Sequence, residues 1–147
     1  VSRAFVKDDD DRPEPPPVRP ISDRPNYVTP KGLARLRELL EAARAAADER
    51  DARYYTERIE TAIVVDPKKQ PRDIVAFGAT VGVRDEHGIE MRVRIVGEDE
   101  SDPAVGAVSW TAPFVHALLD HGVGERVVVT RPAGPARVEI LSIAYEE

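Results

Sequence analysis

Cysteine does not occur in the chain, which excludes disulfides, thiolate metal sites and a cysteine nucleophile together. Such usage fits a reducing compartment, so a cytoplasmic setting is expected. No stretch approaches the roughly 18 uninterrupted apolar residues of a membrane helix, and no membrane association is expected. The charged, proline-rich start also lacks the apolar core of a secretory signal. Aromatic residues are few, with one Trp, four Tyr and three Phe in 147 residues. Only Phe77, Trp110, Phe114 and Tyr145 fall in the last half, a thin supply for an aromatic-walled pocket. Positive charge is not in excess either: 21 Lys and Arg against 27 Asp and Glu leave −6. A protein that holds nucleic acid unaided carries a basic patch that replaces phosphate counterions. The balance points instead to a protein partner, with nucleic acid contacted only indirectly.

What is present reads in four stretches. Residues 1–26 form a tail: Asp8 to Asp11 are consecutive acids, and Pro13, Pro15, Pro16, Pro17, Pro20 and Pro25 follow. Like charges repel, and proline removes donors, so disorder is expected; the alternative is a short peptide that docks on a partner through Arg3, Phe5 and Val6. From Thr29 the pattern turns helical, with Thr29 as N-cap and Pro30 in the first turn. Leu33, Leu36, Leu40, Ala43 and Ala47 form one apolar stripe; Tyr55, Ile59, Ala62 and Ile63 form another on a shifted phase. Two readings fit residues 27–65. One is a single helix from residue 31 to about 63, and the other is a short helical hairpin turning near Asp48. Residues 66–72 are a proline-bounded linker.

Residues 73–147 change to the period of two. Val75 to Val83 and Met91 to Ile95 alternate around the turn Asp85-Glu86-His87-Gly88. Val105 to Trp110 reads as a third strand, and Pro113 starts a short helix with Phe114, Ala117 and Leu118 on its apolar face. That helix ends at Asp120-His121-Gly122, with Gly122 available for a left-handed cap. Arg126 to Thr130 and Arg137 to Tyr145 are two further strands around Arg131-Pro132-Ala133-Gly134-Pro135. The expectation is an α+β protein with a five-stranded sheet and one short helix.

Several blocks of this last stretch resemble the bacterial Gre transcript-cleavage-factor family (GreA/GreB). They are Phe77-Gly78-Ala79-Thr80-Val81, Arg94 to Asp102, Val123-Gly124-Glu125, Pro132-Ala133-Gly134 and Val138 to Tyr145. Val108 to Leu119 resembles the family's Ser-Pro segment with its following helix, and Tyr27 to Leu33 the start of its first helix. The resemblance implies an FKBP-like C-terminal domain behind a helical coiled coil. It also implies docking on bacterial RNA polymerase at the secondary channel, by a monomer with no cofactor of its own. In active family members, acids at the coil tip help hold a magnesium ion in the polymerase active site. The family's tip motif has no clean counterpart here, and the helical part is shorter. Asp48, Glu49 and Asp51 are the acids near the expected turn, hence the tip candidates. They also suit a plain helix start, with Asp48 as cap and Glu49 and Asp51 against its positive end. Ser109, Thr111, Ala112 and Pro113 are the candidate polymerase contacts, Ala112 standing where the family has serine.

Other sites are weaker. His116 and His121 are five apart, off the spacing of a helical metal pair, and no phosphate-binding glycine loop occurs. Ser109 and Ser142 lack triad partners. The expected function is an accessory transcription elongation factor, not itself an enzyme, with stimulation of transcript cleavage as the active-member form. The alternatives are a Rnk-type, non-cleaving regulator that competes for the channel rim, and an FKBP-like prolyl isomerase.

Overall fold

In the computed structural model, which describes residues 18–146, Thr29 and Pro30 open the first helix as their chemistry suggests. The Thr29 hydroxyl accepts from the Gly32 N–H at 3.0 Å, and Pro30 sits in the first turn, where its missing donor costs nothing. Helix α1 runs Pro30–Ala45 and helix α2 Glu49–Glu60, which excludes the single-helix reading. The break uses neither glycine nor proline. Asp48 N–H donates to the Ala43 carbonyl at 2.8 Å and Ala47 N–H to that of Arg44 at 3.1 Å. This is the Schellman pattern, with Ala47 at φ 55° in the left-handed position that glycine usually fills. Asp48 then caps α2, its carboxylate accepting from Asp51 N–H at 3.0 Å. Helix α2 stops before Ile63, which the spacing had placed inside it. Ile63 belongs to a two-residue strand, β2 (Ile63–Val64), parallel to β1 (Tyr27–Val28). The chain therefore leaves the helical pair beside the point where it entered, and the helices run antiparallel.

The period-two stretches form one five-stranded sheet of β3 (Ala79–Asp85), β4 (Glu90–Val96), β5 (Ala107–Ser109), β6 (Arg126–Arg131) and β7 (Gly134–Tyr145), in the order β5-β4-β3-β7-β6. Only β4 and β5 pair in parallel. Val81, Val83, Val93, Ile95, Val127, Val129, Val138 and Ile140 point to one face and are buried there. Helix α3 (Pro113–Leu118) covers that face with Val115 and Leu118, both fully buried. Each such aliphatic contributes about 1.5–3 kcal/mol. Tyr145 closes the far end: its hydroxyl donates to the Ile74 carbonyl at 2.6 Å and accepts from Ala76 N–H at 2.9 Å. No helix among the described residues is long and apolar enough to cross a membrane.

Several details differ from the sequence reading or add to it: β3 starts at Ala79 rather than Val75, and β7 at Gly134 rather than Arg137. The third strand starts at Ala107, not Val105, because Asp102 accepts from Ala104 N–H and holds Pro103–Val105 in a 3-10 turn. The left-handed residue after α3 is Asp120, φ 69°, not Gly122; aspartate tolerates that region better than most side chains. Residues 66–72, read as a proline-bounded linker, carry local structure: Pro67–Lys69 is a 3-10 turn with Pro67 buried, and the Gln70 amide donates to the Phe77 carbonyl at 2.9 Å. Finally, part of the stretch expected to be disordered lies against α2. Arg19 pairs with Asp51, Ser22 donates to Glu98, and Asn26 is buried. Residues 1–17, including the acid run and Arg3, Phe5 and Val6, fall outside the described residues.

Candidate functional site

β5 ends at Ser109, and three residues carry the chain to α3. Within this turn the Ser109 and Thr111 hydroxyls lie 2.7 Å apart, Thr111 N–H donates to Ser109 Oγ at 3.1 Å, and Ala112 N–H donates to the Ser109 carbonyl at 3.0 Å. The turn is thus held in shape by its own bonds. Ala112 caps α3 without a side-chain bond, where a serine would have supplied one. Ser109, Thr111, Ala112 and Pro113 therefore gather in one short surface turn, Pro113 exposed and the other three half-buried. Beneath them Trp110 is half-buried and packed against the sheet core. Its ring meets Tyr27 edge-on at 5.1 Å and stacks on His116 at 6.4 Å. Of the other histidines, His121 pairs with Glu125 at 3.1 Å. Glu125 is held below the usual carboxylate range by the Gly122 N–H and then by His121.

Two of the three tip acids, Asp48 and Asp51, have structural partners. Asp48 caps α2. Asp51 Oδ1 takes an ion pair from Arg19 Nη1 at 3.0 Å, and that guanidinium lies 3.8 Å above the Tyr54 ring and 5.3 Å from that of Tyr55. Cation–π contact and ion pair together tie the entering chain to the first half of α2. Glu49 is exposed. Among the described residues no group of three or more His, Asp or Glu is placed to hold a metal ion.

The junction between helices and sheet is built from residues that sequence reasoning passed over. Arg58 on α2 is 2% exposed, and its guanidinium reaches Asp99 Oδ2 at 2.6 Å, Asn26 Oδ1 at 2.6 Å and Glu98 Oε2 at 3.9 Å. The Asn26 amide donates onward to the Arg58 carbonyl at 2.7 Å. Tyr54 also donates to Asp99, and burial followed by this bond pushes its hydroxyl up to about 12. The Glu100 carboxylate accepts from Thr29 N–H and Gly97 N–H, both at 3.1 Å, and from the Thr29 hydroxyl. Glycine is needed on both sides of it. A side chain at Gly32 would strike the Glu100 carboxylate, and one at Gly97 would strike the Tyr27 carbonyl. The signal that could have exposed this joint was an arginine one turn from Tyr54, on the face that a helix hides, with an acid run after a buried strand. Tyr27 links the joint to the Ser109–Pro113 turn, since it touches Trp110 and, at 6.0 Å, Phe77.

The family model described as transcription elongation factor, GreA/GreB, C-term matches residues 70–145. The chain is 40% identical over 115 residues to transcription elongation factor GreB of Neisseria meningitidis serogroup B, covering 78% of this chain and 65% of that protein. It is 34% identical over 126 residues to transcription elongation factor GreB of Pasteurella multocida, covering 86% of this chain and 73% of that one. A solved GreA/GreB elongation factor from Nitrosomonas europaea superposes with TM-score 0.46 at 28% identity, over 82% of this chain and 99% of that chain. The chain thus spans just under two thirds of the meningococcal relative's length.

Proposed function

Since the chain belongs to the GreA/GreB family of transcription elongation factors, we propose that it binds bacterial RNA polymerase at the secondary channel and acts there on elongation. In this reading residues 73–147 are an FKBP-like docking domain, residues 27–65 a shortened coiled coil directed into the channel, and residues 66–72 the joint. The setting is the cytoplasm, the bound form is a monomer, and nucleic acid is met only through the elongation complex. The chain is an accessory factor without a cofactor of its own, and any RNA cleavage is the polymerase's chemistry. One observation carries the reading: the turn that gathers Ser109, Thr111, Ala112 and Pro113 lies inside the family-matched region and is held in shape by its own hydrogen bonds. A preformed polar turn above half-buried rings favours docking because little is lost in ordering it.

A second reading is favoured by a separate observation. Asp48 and Asp51 are engaged in a helix cap and an ion pair, which leaves Glu49 alone to face a polymerase-held magnesium. Helices of 16 and 12 residues also reach only about 24 and 18 Å. A regulator that occupies the channel rim without promoting cleavage follows from this. Purified backtracked elongation complexes decide between the two. Binding with RNA shortening that is lost in the triple variant D48A/E49A/D51A supports cleavage stimulation. Binding without shortening supports the rim competitor, and no binding contradicts both.

A further inference from the structure

The sheet face opposite α3 carries charge that neither the contact turn nor the helical pair uses. Across the strands its residues fall into register rows: Arg94 with Thr80 and Ala144, Arg92 with Gly82 and Ser142, and Glu90 with Arg84, Glu139 and Arg126. In the third row the charges alternate and pair. Arg84 Nη2 lies 3.7 Å from Glu90 Oε2, and Arg126 Nε lies 3.8 Å from Glu139 Oε1. In the first two rows Arg92 and Arg94 have no acidic partner within ion-pair distance among the described residues. The floor beside them is threonine, glycine, serine and alanine, low enough for another backbone to approach. A shallow hollow joins both arginines to Val105, which is 68% exposed, and to Gly106.

We propose that this face is a second docking surface and that its occupant is an acidic segment of a protein, whose carboxylates meet Arg92 and Arg94 while an apolar side chain meets Val105. The inference rests on the polymerase-docking reading above and takes the occupant to be part of the polymerase. Charge complementarity selects the class. Two arginines two residues apart on one strand stand about 6.6 Å from each other, a spacing that acids one helical turn apart reproduce at ~6 Å. The guanidinium fork matches a carboxylate with two parallel bonds. A nucleic-acid backbone fits worse, because Glu90 and Glu139 share the face and Glu146 borders the hollow, and each would oppose a run of phosphates.

The test measures the affinity of the whole chain for core RNA polymerase at two salt concentrations, with R92E/R94E, the milder R92Q/R94Q and, separately, W110A at the contact turn. The expected result is a loss of about tenfold or more for the reversal and a smaller loss for the neutral pair, each with a weaker salt dependence and an unchanged thermal midpoint. Both Arg pairs binding within about twofold of the parent, while W110A binds poorly, would overturn the second surface and leave the docking reading standing. A parent chain that does not bind polymerase removes both. Arg92- and Arg94-dependent binding to a single-stranded RNA of about 20 nucleotides would overturn the protein assignment in favour of nucleic acid.

Discussion

Arg58 heads the fully buried side chains by size, and a charge so placed is tolerable only because Asp99, Asn26 and Glu98 surround its guanidinium. Removing one partner of such a group costs far more than the pair contributes, since the other charge is stranded. R58M is expected to destabilise the chain by about 3–5 kcal/mol in urea denaturation, and R58M/D99L to recover part of that loss. Equal stability of the two variants would show the pair to be uncoupled. Tyr54 adds a pH dependence whose sign is fixed by its raised value. Its hydroxyl titrates near 10 unfolded and about 12 folded, so its contribution is complete below pH 10 and is lost as pH rises through about 12. Y54F should therefore lose less stability than the parent across that window, as followed by denaturation midpoints. None of this was legible in the sequence. An arginine in a helix reads as surface charge, and its partner Asp99 lies 41 positions away.

Among the elements, those with a local cause were readable. Thr29-Pro30 marks a helix start by capping and by a donor that is not missed, and the alternation of Val81, Val83, Val93 and Ile95 follows from a sheet with one buried face. The break between α1 and α2 was only half legible: the phase slip between the two apolar stripes allowed a hairpin turning near Asp48 beside a single helix, because Ala47 occupies the left-handed position that glycine would have announced. The cost of that alanine is itself measurable. A47G should stabilise the chain by about 0.5–1 kcal/mol, since glycine enters φ > 0 without the Cβ clash, and the gain is read as a rise in thermal midpoint. A fall would mean that the lost helix propensity of neighbouring turns outweighs the relief. The short strands β1 and β2 were also unreadable, since two residues carry no period and Ile63 and Val64 are both exposed.

For the molecule as a whole, the contact turn and the helical pair are not independent. Tyr27 touches Trp110 under the turn and stands next to Val28 and Thr29, whose neighbour across the joint is Glu100. A partner seated on Ser109–Pro113 therefore meets a helical pair whose direction is fixed through Glu100, Asp99 and Arg58. The candidate turn was singled out by the family resemblance, and its residues lie within one short stretch, whereas the joint draws on residues 26, 58 and 97–100, which only folding brings together. The central claim is that this chain docks on RNA polymerase. The most direct measurement is equilibrium binding of the intact chain to core RNA polymerase, with W110A beside it. Saturable binding by the parent and marked weakening by W110A with its fold intact are expected. Absence of saturable binding by the folded parent would contradict that claim.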